Sequence, residues 1–177
     1  MDPRIYIVLS ASGTVPGRII SWLTHFAYSH AMLSLTEDCQ ELYSFGRRSL
    51  HNFLNGGFVV EQRDGRFFTY FSRTRCRVLA LSVSESQLCA LHRELAVFQE
   101  HAQEYKYDFL GCCLRYFRVK TTFDRRYTCS HFVAELLQRA GICEFPKGTM
   151  LVRPGDFMNV AGIRVVYEGM LTGLASR

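Results

Sequence analysis

A single α+β domain over residues 1–177 is the fold class that the sequence predicts. β-Branched apolar runs near both ends indicate buried strands, and several stretches between them have apolar residues at helical spacing. The length suits one hydrophobic core, and there is no internal repeat, low-complexity tract or linker. An apolar share of 48%, with 14% aromatic residues, is typical of a globular chain and excludes a disordered one.

The first predicted elements are a buried strand and a short amphipathic helix. Residues 5–10 form an apolar, β-branched run between Pro3 and a Ser-Gly-Thr turn at 12–14. Such a run, bounded by turn residues, indicates a strand. Apolar residues then recur at helical spacing between positions 19 and 26, which predicts the helix.

A β-hairpin is predicted next. Residues 30–35 and 41–45 are extended runs, and the polar segment Thr-Glu-Asp-Cys-Gln at 36–40 separates them. His30 is at the start of the first strand. The following segment, 46–71, contains Asn-Gly-Gly and Asp-Gly turn signals, so we expect it to be irregular or a loose hairpin.

A strand followed by a long helix is predicted in the middle of the chain. Residues 75–83 alternate as a strand does, and Ser84 with Gln87 three positions later is a capping-box signature. The helix that this signature opens has a predicted buried stripe of Leu88, Leu91, Leu95 and Phe98.

The last part of the chain predicts two more helices and a strand. Helical patterns extend over 108–117 and 129–140, and Gly141 ends the second of them. A final strand is expected over 163–167.

Positive charge exceeds negative charge along the chain. The 21 Lys and Arg residues outnumber the 16 Asp and Glu residues, and the formal net charge is +5. No nucleic-acid recognition motif accompanies this charge, so we expect no nucleic-acid partner. A solvated basic face is the simplest interpretation, and peripheral contact with an anionic membrane surface is compatible with it. The densest groups are Arg73, Arg75 and Arg77, and Arg115, Arg118, Lys120, Arg125 and Arg126.

The cysteine pattern predicts free thiols in a reducing compartment and does not predict a metal site. The seven cysteines contain no CxxC pair, and no Cys/His spacing suits zinc. The N-terminal segment lacks the pattern of a signal peptide, and no stretch reaches the roughly 20 apolar residues of a membrane helix. We therefore predict a cytoplasmic protein without an integral membrane segment. The cysteines are at positions 39, 76, 89, 112, 113, 129 and 143.

One cysteine is placed where helix geometry activates a thiol. Cys129 comes just inside a predicted helix start, in Tyr-Thr-Cys-Ser-His-Phe-Val-Ala-Glu-Leu-Leu at 127–137, with Thr128 as the candidate N-cap. The first amides of a helix and the positive end of its dipole favour a thiolate, which is the nucleophilic form. An ordinary buried cysteine at a helix end is the alternative interpretation.

A thiolate nucleophile needs a base that also protonates the leaving group, and imidazole does this at neutral pH. Among six histidines, His30 is on a predicted strand, a rigid element suited to face a helix terminus across a cleft. His131 is two residues from Cys129 on one helix, and residues at i and i+2 point apart. We therefore predict a Cys129–His30 pair.

The two motifs together resemble a known family. Tyr-Ser-His-Ala-Met-Leu-Ser-Leu at 28–35, ahead of the cysteine motif, resembles the circularly permuted branch of the NlpC-type papain-like cysteine hydrolases. That branch includes the YiiX-like bacterial proteins and the lecithin:retinol acyltransferase group. The strand at 5–10 and Arg-Pro-Gly-Asp-Phe at 153–157 are similar to family elements as well. The resemblance implies a bacterial enzyme with a permuted papain-like fold, in which a small antiparallel sheet packs against helices and the histidine precedes the cysteine.

The resemblance also implies a third catalytic residue. The family supplies a glutamate or histidine on the strand after the catalytic histidine, where it orients the imidazole. By hairpin register this position falls on or next to Ser44, and a serine there departs from the family pattern. Glu41 and Tyr43 are neighbours, but strand alternation points them away from the face of Ser44. The implied catalytic set is Cys129, His30 and Ser44.

Acyl transfer also needs a donor for the oxyanion and a cleft for the substrate. The amide of Cys129 is the expected donor, because preorganised N–H groups must stand where negative charge develops. Tyr43, Phe45 and Tyr127 are predicted to line the cleft, although aromatic residues at such positions also form cores.

The predicted function is a hydrolase or acyltransferase that forms an acyl-enzyme on Cys129 from an amide, ester or thioester. The substrate would be a peptide-like or lipid-like acyl compound, and the reaction needs no metal or organic cofactor. The alternative is a binding module on the same fold with weak or no catalysis, which Ser44 keeps open. A depressed pKa of the thiol would separate the enzyme from the binding module.

Overall fold

The computed structural model describes residues 2–11, 26–49, 55–109, 111 and 123–176. These residues form an α+β structure, as the sequence predicts. The strands are β1 (Arg4–Ala11), β2 (His30–Ser34), β3 (Glu41–Arg47), β4 (Gly56–Gln62), β5 (Arg75–Ser82), β6 (Lys106–Tyr107), β7 (Arg126–Tyr127) and β8 (Arg164–Met170). The α-helices are α1 (Arg66–Tyr70), α2 (Glu85–Glu100) and α3 (Cys129–Arg139), and 3-10 helices span Thr149–Leu151, Pro154–Asn159 and Leu171–Ser176.

Six of the strands form one antiparallel sheet in the order β4-β3-β2-β1-β5-β8. The inner strand β1 pairs with β2 and β5, and its residues from Ile5 to Ser10 are all buried. A strand that is buried on both faces reads as a continuous apolar run, which explains the absence of alternation in this segment. β6 and β7 form a separate two-stranded parallel ladder.

The predicted hairpin is confirmed by β2 and β3, which pair with Leu33 opposite Tyr43. The polar segment between them turns through Cys39, whose φ is +49°. Asp38 stabilises this turn, because its Oδ1 accepts hydrogen bonds from the Thr36 hydroxyl and the Gln40 amide. The predicted strands at 75–83 and 163–167 are confirmed as β5 and β8, which pair with each other.

Both long helices begin where the sequence predicts, and α3 also ends there. At the start of α2 the Ser84 side chain accepts from the Gln87 amide, and the Gln87 side chain accepts from the Ser84 amide, which confirms the capping box. Gly141 follows α3 with a φ of +66°, the left-handed conformation that favours glycine. The buried residues of α2 are Leu91, Leu95 and Phe98, and Leu88 is half-buried.

The described chain divides into two compact units, and each has a core. The first unit comprises Met1–Tyr43, Val60–Val83 and Pro154–Arg177, and the second comprises Ser44–Val59 and Ser84–Arg153. One domain over residues 1–177 stays a prediction. The core of the first unit includes Tyr6, Val8, Met32, Cys39, Leu42, Phe68, Cys76, Val78, Leu171 and Leu174. The core of the second is an aromatic cluster of Phe45, Phe58, Phe98, Tyr105, Tyr127 and Phe132.

One sequence interpretation holds in part, and two lie outside the described residues. The segment 46–71, expected to be irregular or a loose hairpin, contains β4, which pairs with β3 as the second strand of a hairpin, and the helix α1, which was not predicted. Two adjacent glycines open β4 where Tyr107 and Arg48 lie close to the backbone, so glycine there marks close packing and not a turn. The helix predicted near 19–26 and most of that predicted over 108–117 fall outside the described residues.

Helix length bears on the membrane prediction. The longest described helix, α2, has 16 residues. None of the helices in the described part of the chain is long and apolar enough to cross a membrane.

Candidate functional site

Cys129 is the first residue of α3, and only 4% of its surface is exposed. Thr128 is the N-cap: its backbone is extended, and its Oγ1 accepts a hydrogen bond of 3.3 Å from the His131 amide. The predicted helix start and cap are therefore confirmed. Phe132 and Leu136 are fully buried on α3, so the helix that carries the thiol is fixed by packing.

Two side-chain hydrogen bonds tie α3 to the chain that follows it. The Ser130 hydroxyl donates to the carbonyl oxygen of Val152 at 2.5 Å. The Thr149 hydroxyl donates to Glu135 Oε2 at 2.6 Å. The first bond holds the residue next to Cys129, so it fixes the first turn of the helix. Sequence reasoning missed Ser130, because a serine after a candidate nucleophile has no special pattern.

The second histidine of the cysteine motif packs against its own surroundings. The ring of His131 stacks on the ring of Tyr127, with 4.6 Å between centroids and 29° between planes. His131 Nε2 lies 3.9 Å from Glu135 Oε2, one turn along α3. These contacts give the imidazole a packing role within the second unit.

Two predicted cleft residues, Phe45 and Tyr127, meet in the aromatic cluster of the second unit, with 5.2 Å between ring centroids. Phe45 is fully buried and Tyr127 is half-buried. Burial raises the pKa of the Tyr127 phenol. Of the two, Tyr127 therefore has surface that a substrate could touch, whereas Phe45 is enclosed by other rings.

His30 is the first residue of β2 and is half-buried. Its register partner on β1 is Ser10, and Ser10 is in turn opposite Cys76 on β5. Residues opposite each other in antiparallel strands share a face, so these three side chains leave the sheet on the same side. The Ser29 amide donates to the Ser10 carbonyl oxygen at 3.1 Å, which fixes the entry into β2.

A polar cluster that sequence reasoning missed lies in the same unit as His30. The Tyr28 hydroxyl donates to Glu168 Oε1 at 2.9 Å, and Arg77 donates to the same carboxylate through Nε at 3.1 Å and Nη2 at 3.0 Å. The Arg77 guanidinium also lies 5.4 Å from the centroid of the Tyr28 ring. The hydrogen bonds from Tyr28 and Arg77 lower the pKa of Glu168. Strand pairing joins these distant positions, and single-sequence patterns do not reveal it.

The predicted third catalytic residue, Ser44, is fully buried in β3. Its neighbour Tyr43 is also buried, and the Tyr43 hydroxyl donates to Glu41 Oε2 at 2.7 Å. Burial, with this hydrogen bond, raises the pKa of Tyr43 to about 12. Glu41 and Tyr43 therefore interact with each other, as the alternation of a strand allows.

The predicted site residues belong to both units. His30 and Tyr43 lie in the first unit, and Ser44, Phe45, Tyr127 and Cys129 lie in the second. Within the described residues, no three His, Cys, Asp or Glu side chains are grouped so that they could hold a metal ion.

Comparison of the chain with protein-family models, with curated proteins and with solved structures gives no match. The resemblance to the permuted papain-like hydrolases therefore rests on the motifs at 28–35 and 127–137. The function is accordingly argued from the chemistry of the individual residues.

Proposed function

We propose that the protein is a cysteine hydrolase or acyltransferase in which Cys129 is the nucleophile and His30 is its base. The observation that carries the proposal is the position of Cys129 as the first residue of the capped helix α3. The amides and the dipole of a helix start stabilise a thiolate relative to a thiol. The order of the two motifs supports the proposal through the family resemblance.

The surroundings of the other described thiols support the choice of Cys129. Burial raises the pKa of Cys39 and of Cys76 to about 12, and that of Cys143 to about 11. These thiols stay protonated near neutral pH and are poor nucleophiles. Cys89 is exposed but lies beyond the first turn of α2.

In the proposed reaction, His30 takes the thiol proton, and the sulfur of Cys129 adds to the carbonyl carbon of the substrate. The carbonyl π electrons move to oxygen, and the Cys129 amide is the proposed donor to this oxyanion. The intermediate collapses and expels an amine, alcohol or thiol, which receives the proton from the His30 imidazolium. Water or another acceptor then adds to the acyl-enzyme, gives a proton to His30 and releases the product.

Ser44 completes the proposed set as the group that orients His30, and the substrate is a peptide-like or lipid-like acyl compound. A hydroxyl is a weaker partner for an imidazolium than a carboxylate is, because it carries no charge. A binding module is the second candidate, and the serine at this position favours it. Neither function requires a metal or an organic cofactor.

The experiment that tests the proposal is labelling with limiting iodoacetamide across about pH 4 to 9, with each modified cysteine identified by mass spectrometry. We expect Cys129 to react first, with an apparent pKa well below the free value of about 8.5. In His30→Ala this apparent pKa should rise, because the thiolate loses its imidazolium partner. His92→Ala, at an exposed position of α2, is the matched control and should change nothing.

Three outcomes would contradict parts of the proposal. If Cys129 reacts no faster than the exposed Cys89, the enzyme has no activated nucleophile and the binding module is favoured. If Cys129 is reactive but indifferent to His30→Ala, the base is wrong and the nucleophile is retained. If Ser44→Ala leaves the pH profile unchanged, Ser44 does not orient the imidazole.

A further inference from the structure

Arginines flank a run of aromatic residues in one segment of the first unit. Residues 63–77 contain five arginines and one acidic residue, Asp64. Within the same segment, the helix α1 and the turn after it carry three phenylalanines and Tyr70. From the sequence alone, the simplest interpretation of these arginines is a solvated basic face, which is compatible with peripheral contact with an anionic membrane.

Three of these five arginines and one aromatic ring are exposed in the structure. Arg66 and Tyr70 are exposed and four residues apart, so they lie on one side of α1, and the exposed Arg73 follows in the turn after the helix. Tyr70 is 66% exposed. Its ring packs on the half-buried ring of Phe71, with 5.0 Å between centroids, and Phe71 packs on Phe67 at 4.9 Å.

The surface continues onto the sheet. Exposed Arg75 at the start of β5 is opposite Met170 at the end of β8, and Met170 is 37% exposed. The backbone joins the two parts, because the Leu171 amide donates to the Thr74 carbonyl oxygen at 2.9 Å. We call this the basic–aromatic surface: Arg66, Tyr70, Phe71, Arg73, Arg75 and Met170.

Nearby acids offset the charge of this surface only in part: Arg75 is close enough to Glu168 to help lower the pKa of that carboxylate. Arg77 is paired with Glu168, and Arg63 donates to Gln40. Asp64 accepts a hydrogen bond from Gln40 at 2.7 Å. Among the described residues, none of the ion pairs involves Arg66, Arg73 or Arg75. Three exposed arginines therefore share this surface with one exposed aromatic ring and one thioether.

We propose that the basic–aromatic surface docks on an anionic lipid bilayer. Each arginine near a negatively charged bilayer contributes about 1 kcal/mol of attraction. Tyrosine prefers the bilayer interface, where its ring is buried and its hydroxyl stays hydrated. A single-stranded nucleic acid would need several open ring faces for stacking, whereas Phe67 and Phe71 cover each other here. The bilayer is therefore the partner that this surface fits best.

The surface lies at the end of the sheet where the proposed base is found. Ser10 on β1 is opposite His30, and the next residue, Ala11, is opposite Arg75. Docking there would bring the bilayer to the strand end that carries His30. Docking itself does not depend on the Cys129 thiol, so it goes beyond the proposed function and is tested separately.

The test is co-sedimentation of the full chain with vesicles of phosphatidylcholine alone or mixed with phosphatidylserine. We expect binding to the mixed vesicles that weakens with salt and little binding to phosphatidylcholine. Arg66→Gln with Arg73→Gln should weaken binding about 25-fold, since each charge contributes about fivefold. The matched control is Arg93→Gln with Arg164→Gln, which removes the same charge at exposed positions on α2 and at the other end of β8.

The outcomes separate the alternatives. Retained binding in the control, with loss in the surface variant and in Tyr70→Ser, supports docking through this surface. Equal loss in both double variants overturns it, because net charge alone would then explain binding. Absence of vesicle binding, or tight binding to a single-stranded oligonucleotide in its place, also overturns it. Cys129→Ala should bind vesicles like the wild type, whatever the iodoacetamide experiment shows, and circular dichroism confirms that each variant is folded.

Discussion

The hydroxyl of Ser130 donates a hydrogen bond to the carbonyl oxygen of Val152 over 2.5 Å. Both residues are buried, so neither group can turn to water without movement of the chain. Ser130 follows Cys129 directly, and the bond therefore links the start of α3 to the end of the 3-10 helix Thr149–Leu151.

We expect Ser130→Ala to lower the free energy of unfolding by about 1–3 kcal/mol, because the buried Val152 carbonyl oxygen loses its donor. Urea unfolding followed by circular dichroism measures this change. If Ser130 also positions Cys129, the rate of iodoacetamide labelling at Cys129 should change in the same variant under native conditions.

Ser82→Ala is the control for this prediction, because Ser82 is exposed at the end of β5. An exposed serine-to-alanine change is expected to stay within about 0.5 kcal/mol. Equal effects of the two substitutions would show that the Ser130 bond contributes nothing particular to stability.

The N-cap of α3 gives a second prediction. Thr128→Ala removes the side-chain acceptor of the His131 amide, so we expect a loss of about 1 kcal/mol in unfolding free energy and slower labelling of Cys129. Thr128→Ser keeps a hydroxyl at the cap and should behave like the wild type in both assays. A labelling rate that is unchanged in Thr128→Ala would mean that the cap does not support thiol reactivity.

Local signals made most of the regular structure predictable. The capping box at Ser84, the cap at Thr128 and the left-handed Gly141 each act within one helical turn, so their patterns are visible in the sequence. α1 was missed because the Asp-Gly pair before it, at 64–65, indicates a turn, and the bounds of β4 were not predicted because Gly56 and Gly57 resemble turn residues. They are instead needed where other chain segments come close to a strand.

The contacts of the candidate site were less predictable than its residues. The position of Cys129 follows from a helix signal. The hydrogen bond from Ser130 to the Val152 carbonyl oxygen, in contrast, depends on a tertiary contact between residues 22 positions apart. Glu168 on β8 meets Arg77 because β8 pairs with β5, and it meets Tyr28 through the hydrogen bond from the Tyr28 hydroxyl. Such contacts depend on register, which a single sequence does not fix.

Close packing at Gly57 gives a third prediction. A Cβ atom added there would lie 2.5 Å from Arg48 Nη2 and from the Tyr105 carbonyl oxygen. Arg48 cannot move away without cost, because it donates to the carbonyl oxygens of Ala102 and Tyr105. We expect Gly57→Ala to lower the unfolding free energy by about 1–3 kcal/mol, measured by urea unfolding.

A glycine with open space around it is the comparison for this variant. Gly141 has a φ of +66° and no heavy atom within 4 Å of an added Cβ. Asparagine tolerates the left-handed conformation, so Gly141→Asn should change stability by less than Gly57→Ala does. The packing argument fails if Gly57→Ala is as stable as the wild type.

The buried thiols of the first unit make stability depend on alkaline pH. Burial raises the pKa of Cys76 to about 12, whereas an unfolded thiol titrates near 8.5. Above that pH the unfolded chain loses a proton that the folded chain keeps, so stability is complete below about pH 8.5 and falls as the pH rises toward 12. The expected slope is about 1.4 kcal/mol per pH unit for each such thiol.

Urea unfolding at several pH values between neutral and about pH 10.5 should show a shallower slope of unfolding free energy against pH in Cys76→Ala than in the wild type. Cys89→Ala, at an exposed position, is the control and should keep the wild-type slope, because the buried Cys76 thiol is still present. Parallel slopes in all three proteins would mean that the Cys76 thiol titrates alike in the folded and unfolded chains.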